Sequence, residues 1–255
     1  MALSYTEPRI SELNHRGARL LVLHEYENHP TVSGNKWWKL KRNLEVAREK
    51  GFNTIVTFGG PYSNHIYATA AAAKLSGFKS VGIIRGEEVE NQVLKFARSQ
   101  GMELSFISRE DYRRKTEMQF DHAFVIPEGG TNEYAIEACA EWGRKLLKIE
   151  FDTLYVAVGT GGTLEGLKKG IDGQRETVGV PVLKGFSGRN LLTGYDFGGY
   201  AKTTPPLLDF CREVKIKHGI VVEPVYTGKL FYAVFDRIKK GTTTLVIHTG
   251  GINSL

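Results

Sequence analysis

The sequence predicts an α/β fold built from open, mainly parallel twisted sheets covered by helices. Short runs rich in β-branched and aromatic residues alternate with longer stretches of helical pattern along most of the chain. The helical stretches end near a glycine or near basic residues, as helix ends do. A chain of 255 residues, 41% of them hydrophobic, can form the core of one large domain or two small ones.

Six runs predict strands and five stretches predict helices. The predicted strands are residues 54–60, 80–86, 104–108, 123–130, 153–162 and 243–251. The predicted helices are residues 36–51, 64–77, 92–101, 134–148 and 229–241. Because strands that alternate with helices are joined by crossovers, we expect most strands to be parallel.

Four of the predicted strands end in a pair of glycines. The pairs are Gly59-Gly60, Gly129-Gly130, Gly161-Gly162 and Gly250-Gly251. Ligands of open α/β sheets bind beyond the carboxyl ends of the strands, where glycine lets the backbone approach a ligand closely. One such pair is ordinary turn chemistry, but four at the same topological position predict a single shared crevice.

Composition argues against several classes of function. The net charge is +6, but the basic residues are dispersed among acidic ones, so no nucleic-acid surface is expected. Cys139 and Cys211 lie far apart without a histidine pair nearby, so neither a metal site nor a disulfide is expected. No apolar run approaches the roughly 20 residues of a membrane span. The first ten residues do not resemble a signal peptide, which makes the cytoplasm the expected compartment.

The segment 158–170 combines a strand end, a glycine loop and the start of a helix. Backbone N–H groups from Gly159 to Thr163 would point into one concavity at a helix N-terminus, and the hydroxyls of Thr160 and Thr163 add donors. The dinucleotide fingerprint fails at Leu164, and no GK[ST] follows the loop. The segment is therefore either a small phosphate-binding cup, suited to a monophosphate, or a plain strand-to-helix turn.

Polar residues also begin the alanine-rich helix at 64–77. Ser63 or Asn64 can cap this helix, which is the simpler interpretation. Capping does not account for the whole run Ser63-Asn64-His65, and such a cluster at a helix start is a good carboxylate-binding site.

Lys36 follows a flexible Ser33-Gly34-Asn35 turn and precedes two tryptophans. By itself it could be one of many surface lysines. A lysine between apolar walls has a lowered pKa and can form a Schiff base with an aldehyde. The aldehyde cofactor with one phosphate is pyridoxal phosphate, which acts as an electron sink.

Seven motifs, taken together, resemble one family. They are SGNKWWKLKRN (33–43), TFGGPYSNH (57–65), IPEGGTN (126–132), VGTGGT (158–163), FGGYAK (197–202), PVYTGK (224–229) and IHTGG (247–251). The chain is similar to the pyridoxal-phosphate-dependent 1-aminocyclopropane-1-carboxylate deaminases and D-cysteine desulfhydrases, which are tryptophan synthase β-like. This resemblance implies a large domain of residues 1–38 and 131–255, a small domain of residues 39–130, a cofactor in the cleft between them, and a homodimer.

The resemblance also implies roles for individual residues. Lys36 would bind the cofactor covalently and move the α-proton, and Asn64 would contact the phenolic oxygen of the ring. The phosphate would bind to Gly159, Thr160, Gly161, Gly162 and Thr163. Ser63, Asn64 and His65 would bind the substrate carboxylate, with Ser63 also assisting catalysis.

Two tyrosines and a threonine complete the set. Tyr200 and Tyr226 match active-site tyrosines of the family, and Thr227 falls where the family contacts the pyridine nitrogen. The cyclopropane-opening deaminases have glutamate at the position of Thr227. A hydroxyl supplies no negative charge, so strong electron withdrawal by the ring is less favoured here.

The resulting hypothesis is a lyase acting on a small amino acid. It predicts α,β-elimination from a D-cysteine-like substrate to give pyruvate, ammonia and the leaving group. Deamination of 1-aminocyclopropane-1-carboxylate is the alternative within this class. A departure from the family at residues 23–30 motivates a rival of another class, a non-catalytic protein that binds a phosphorylated metabolite.

Overall fold

The computed structural model describes residues 3–251 and shows strands arranged in two sheets. The strands are β1 (Ile10–His15), β2 (Ala18–Leu23), β3 (Thr54–Gly59), β4 (Lys79–Arg85), β5 (Met102–Ile107), β6 (Ala123–Ile126), β7 (Thr153–Val158), β8 (Glu176–Pro181) and β9 (Thr243–Ile247). The helices are α1 (Asn35–Glu49), α2 (Asn64–Leu75), α3 (Gln92–Ser99), α4 (Arg109–Arg113), α5 (Glu133–Leu146), α6 (Gly162–Ile171), α7 (Pro205–His218) and α8 (Thr227–Arg237).

The two sheets are almost entirely parallel. One has the strand order β1-β2-β9-β7-β8, and the other has the order β5-β4-β3-β6. The hairpin β1-β2 is the antiparallel exception, with Ile10 opposite Leu23 and a turn at Arg16-Gly17 where both residues have positive φ. The predicted α/β architecture is therefore confirmed.

The predicted elements all occur, with ends that differ by a few residues. The strands β1, β2 and β8 and the helices α4 and α7 were not predicted. Strand β1 lies at a sheet edge with alternately exposed and half-buried side chains, so it has no apolar run. Strand β8 contains Gly179 and ends at Pro181, two residues that weaken a strand pattern.

The two sheets are built from different parts of the chain. All four strands of the smaller sheet lie within residues 54–126, and all five of the larger sheet lie outside that range. The exact division of the chain at 39–130 stays a prediction. No helix within residues 3–251 is both long enough and apolar enough to cross a bilayer.

The two tryptophans that follow Lys36 belong to the core. Trp37 and Trp38 are 5% and 3% exposed, and Trp38 stacks on Trp142 of α5 with ring centroids 5.6 Å apart. Their indole N–H groups donate to Ser4 O at 2.7 Å and to Glu25 Oε1 at 2.8 Å. Burial of these rings fixes α1 against the larger sheet, so Lys36 at its start has a defined position.

Helices α5 and α6 approach each other closely through glycine. A Cβ atom at Gly170 would lie 2.1 Å from Ala140 O, and one at Gly166 would lie 2.3 Å from Cys139 Cβ. Neither contact is possible for a real side chain, so the helix spacing depends on both glycines. Because α6 begins at the glycine loop after β7, this contact also fixes the position of that loop.

We therefore predict that Gly170→Ala destabilises the protein by about 1–3 kcal/mol, the usual cost of inserting a methyl group into a packed interface. The exposed neighbour on the same helix gives the control, since Lys169→Ala should change stability by less than about 0.5 kcal/mol. Urea unfolding monitored by circular dichroism measures both. Equal midpoints for the two variants would contradict the close packing of α5 on α6.

Candidate active site

A cleft of about 350 Å³ lies where the carboxyl ends of strands from both sheets meet. At least one member of each of the four glycine pairs lines it, so the predicted shared crevice is present. Ten of the predicted site residues also line the cleft: Lys36, Ser63, Asn64, His65, Gly159, Thr160, Gly161, Thr163, Tyr200 and Tyr226. The predicted residues Gly162 and Thr227 do not. Gly162 is buried in the first turn of α6, and Thr227 is buried at the start of α8.

Lys36 is the second residue of α1 and follows a turn that requires glycine. Gly34 has a φ of +65°, and a Cβ there would lie 1.9 Å from Thr249 O. The buried side chain of Asn28 holds this turn, donating to Gly34 O at 3.0 Å and accepting from Gly34 N at 2.9 Å. Sequence reasoning missed Asn28, which lies in the segment that departs from the family. The turn therefore directs Lys36 into the cleft.

The environment of Lys36 disfavours a charged amine. Burial and, to a smaller extent, the positive charge of Lys39 lower the pKa of its ammonium group to about 7. Nζ donates a hydrogen bond to Asn35 Oδ1 at 3.3 Å, and no salt bridge to Lys36 occurs within residues 3–251. A substantial neutral fraction at physiological pH makes this nitrogen a nucleophile.

The glycine loop lies at the N-terminus of α6. Gly161 precedes the helix with a φ of +92° and leaves open space where a Cβ would stand. The first N–H groups of a helix have no partner within it, so they are available to an anion. Thr163 Oγ1 accepts a hydrogen bond from Asn35 Nδ2 at 2.9 Å, which ties the loop to the residue before Lys36. The geometry fits a phosphate group.

Lys39 is a second basic residue at this loop, and sequence reasoning missed it. Its Nζ donates to Gly129 O at 2.9 Å, to Thr131 Oγ1 at 3.1 Å and to Thr160 Oγ1 at 3.5 Å. Burial lowers its pKa to about 8. The sequence does contain a signal for Lys39. It follows Lys36 by three residues, and this spacing places both side chains on one face of α1.

At the start of α2, Ser63 caps the helix and lines the cleft. Its Oγ accepts from His65 N at 3.2 Å and from Ile66 N at 3.4 Å. The ring of His65 is buried between Thr57 Oγ1 at 2.7 Å and Thr69 Oγ1 at 3.4 Å. Burial and the charges of the two lysines hold the pKa of His65 well below its usual range, so the imidazole is neutral. A contact between His65 and a substrate carboxylate stays a prediction.

The rings of the two predicted tyrosines lie next to each other. The ring centroids of Tyr200 and Tyr226 lie 6.0 Å apart in an edge-on arrangement. Burial raises the pKa of both phenols, which are therefore protonated hydroxyls at neutral pH. Lys229 of α8 holds the turn that precedes Tyr200, since its Nζ donates to Asp196 O and Gly199 O, each at 2.7 Å.

Thr227 has a charged neighbour that the sequence did not reveal. Its hydroxyl donates to Glu223 Oε1 at 3.2 Å, and the same buried carboxylate accepts from the backbone N–H groups of Val225, Tyr226 and Thr227. Burial raises the pKa of Glu223 to about 7, while these hydrogen bonds oppose the shift. A carboxylate therefore lies one hydrogen bond away from Thr227.

Known proteins resemble this chain over most of its length. A family model described as "Pyridoxal-phosphate dependent enzyme" matches residues 6–187. A Pyrococcus furiosus protein named putative 1-aminocyclopropane-1-carboxylate deaminase is 31% identical, over 96% of this chain and 88% of the relative. An Arabidopsis thaliana protein named bifunctional D-cysteine desulfhydrase/1-aminocyclopropane-1-carboxylate deaminase, mitochondrial, is 29% identical, over 88% of this chain and 70% of the relative.

A solved structure described as an ACC deaminase homologue superimposes with a TM-score of 0.88 at 28% identity, covering 99% of this chain and 91% of the other. The fold, the lysine in its cleft and these matches lead to the same conclusion, namely that the chain belongs to the family of pyridoxal-phosphate dependent enzymes.

Proposed function

We propose that the chain is a lyase that catalyses α,β-elimination on a small amino acid, with D-cysteine as the first candidate substrate. The products are pyruvate, ammonia and, from cysteine, sulfide. The observation that carries this proposal is Lys36, a partly neutral amine held in a cleft between a phosphate-sized loop and a polar helix start. Relatives named for D-cysteine desulfhydrase activity support the substrate.

Each end of the cleft has a proposed binding role. The loop Gly159–Thr163 and the ammonium of Lys39 hold the cofactor phosphate, and Asn64 holds the phenolic oxygen of its ring. Ser63, Asn64 and His65 receive the substrate carboxylate at the N-terminus of α2. When bound, pyridoxal phosphate supplies an electron sink for the carbanion that forms at Cα.

Proton movement is assigned to Lys36 and the tyrosines. Lys36 Nζ holds the cofactor, and once released it removes the proton from Cα of the substrate. Tyr226 Oη, protonated at neutral pH, orients or protonates the leaving group, and Tyr200 lies beside it. Thr227 and Glu223 act at the pyridine nitrogen side of the cofactor.

Deamination of 1-aminocyclopropane-1-carboxylate is the second candidate. The names of several relatives, including those from Pyrococcus and Thermotoga, favour it. In that reaction Ser63 or a tyrosine assists ring opening.

We also infer a large domain of residues 1–38 and 131–255, a small domain of residues 39–130, a homodimer and a cytoplasmic location. The positions of the strands support the domains, and the family resemblance supports the dimer.

The first test concerns the attachment of the cofactor. Reduction with borohydride after addition of pyridoxal phosphate should fix the cofactor mass on the peptide that contains Lys36. The variant Lys36→Ala should lose this label, whereas Lys41→Ala, which removes a lysine paired with Glu141 outside the cleft, should keep it. Mass spectrometry of peptides reads the result. A label that persists in Lys36→Ala would contradict the assigned role.

The lowered pKa of Lys36 predicts the pH dependence of attachment. The neutral amine reacts, and it predominates above a pKa of about 7, so the rate of attachment should rise up to about pH 7 and then level off. Because Lys39 lowers this pKa, Lys39→Met should move the midpoint to higher pH. Stopped-flow absorbance of the apo protein measures the rate. A rate that still rises about tenfold per pH unit near pH 9 would show an unperturbed lysine.

The substrate is tested by comparing formation of the 2-oxo acid, which is pyruvate from D-cysteine, L-cysteine or D-serine and 2-oxobutyrate from 1-aminocyclopropane-1-carboxylate. We expect D-cysteine to react with the highest kcat/KM and to release sulfide in equal amounts. A highest value with the cyclopropane would instead establish the second candidate. No 2-oxo acid from any of the four, with the cofactor attached at Lys36, would refute the lyase proposal while leaving the family unchanged.

A further inference from the structure

Arg85 lies at the rim of the cleft and has no role in the function proposed above. It is the last residue of β4, and its side chain is exposed. It lines the cleft that holds Lys36, and it also lines a second, wider cleft of about 1150 Å³. Pro61, Tyr62 and Glu128 line both clefts too, so Arg85 stands where the two join. Lys36, Ser63 and Thr160 line the first cleft alone.

Two neighbours define the position of the guanidinium group. It lies over the ring of Tyr112 at 5.5 Å, and Nη2 is 3.5 Å from where a Cβ of Gly60 would stand. Its charge also reaches Tyr200, where burial raises the pKa of the phenol and Arg85 acts in the opposite direction. The guanidinium thus lies beside the Gly60 turn and over Tyr112, which lines the second cleft.

The side chain of Arg85 makes no hydrogen bond or ion pair with a protein acceptor in the part of the chain that the structure describes. The other basic groups of the cleft are engaged. Lys36 donates to Asn35, and Lys39 donates to a carbonyl and two hydroxyls at the glycine loop. The carboxylate that shares the rim, Glu128, pairs with Lys115 at 3.4 Å. The guanidinium of Arg85 therefore lies at the rim with N–H donors that no protein acceptor uses.

We propose that Arg85 selects amino acids whose side chain carries a second negative group, such as a carboxylate, sulfonate or phosphate on the β-substituent. This inference rests on the proposed function, and it narrows the substrate class of the same site. The α-carboxylate is assigned to the start of α2, inside the first cleft. A group on the β-substituent that extends toward the second cleft passes Arg85, whose planar fork matches an oxyanion.

The reaction of such a substrate balances with water as the only other reactant. The Cα–H bond breaks with its proton going to Lys36, and the bond from Cβ to the substituent breaks with the electron pair leaving on the substituent. Water supplies the keto oxygen of pyruvate, and its two protons are taken up by Cβ, which becomes the methyl group, and by the nitrogen, which leaves as ammonium. The substituent takes up one proton and keeps its fixed negative group, so no oxidant or reductant takes part.

Binding of unreactive pairs tests the inference without turnover. Aspartate with asparagine, and glutamate with glutamine, differ mainly in side-chain charge and are titrated as both enantiomers into the holoenzyme by isothermal calorimetry. We expect the wild type to bind the acid of each pair at least about tenfold more tightly than its amide. Arg85→Gln should reduce this preference to within about twofold, and Arg85→Lys should keep part of it because the charge remains without the fork.

Arg114→Gln is the matched control. It removes the same charge from an exposed side chain that pairs with Asp111 and lines neither cleft, so the preference should stay at the wild-type value. Equal binding of acid and amide by the wild type, or no binding of either, would overturn the inference. So would an Arg85→Gln variant that loses both ligands equally, because Arg85 would then bind the α-carboxylate.

The borohydride label at Lys36 separates this inference from the proposed function. A protein that carries the label yet shows no preference for the acid refutes the role of Arg85 and leaves the lyase proposal standing. A protein that takes no label refutes the proposed function, and the inference about its substrate class is overturned with it.

Discussion

The site depends on one close approach between two backbone segments, that of Gly34 to the carbonyl of Thr249. No side chain fits between them, since a Cβ at Gly34 would overlap the carbonyl oxygen. The contact joins the start of α1 to the loop after β9, and Asn28 completes it by hydrogen bonding both polar groups of Gly34. Trp37 and Trp38, which follow Lys36 and are buried, prevent α1 from rotating about its axis. The placement of Lys36 therefore follows from packing on either side of it.

The same packing determines the charge of the site. Lys36, Lys39 and His65 lie close together, and each has a pKa lowered by burial, with mutual repulsion adding to the effect on Lys36 and His65. A phosphate dianion at the loop before α6 would stabilise the positive form of Lys39, which donates toward that loop. The electrostatic cost of collecting basic groups without a counter-charge is then offset by the cofactor, while the amine of Lys36 remains reactive.

The sequence was sufficient where a local pattern determines structure, and insufficient where the determinant is a contact between distant segments. Glycine pairs and the turn before Lys36 predicted the cleft because glycine at a strand end has a specific geometric meaning. The roles of Asn28 and Glu223 could not be predicted, since their hydrogen bonds are made in turns of no fixed pattern. The spacing of Lys39 from Lys36 placed it on the same helix face, but its partners at the glycine loop lie elsewhere in the fold. Strand β1 was missed because an edge strand buries little and needs no apolar run.

Glu223 changes the argument about reaction type that the sequence suggested. From the residue type alone, Thr227 is a hydroxyl without a negative charge, in contrast with the glutamate of the cyclopropane-opening enzymes. In the structure the hydroxyl of Thr227 donates to the Glu223 carboxylate and accepts from Glu223 N at 3.2 Å, so its proton is engaged and one lone pair of its oxygen is left as an acceptor. An acceptor backed by a carboxylate favours a protonated partner, as a glutamate would, although less strongly. The electronic difference between the two reactions at this position is therefore smaller than the residue types imply. The choice between them then depends more on the groups proposed to contact the substrate, which are Ser63, the two tyrosines and the rim of the cleft.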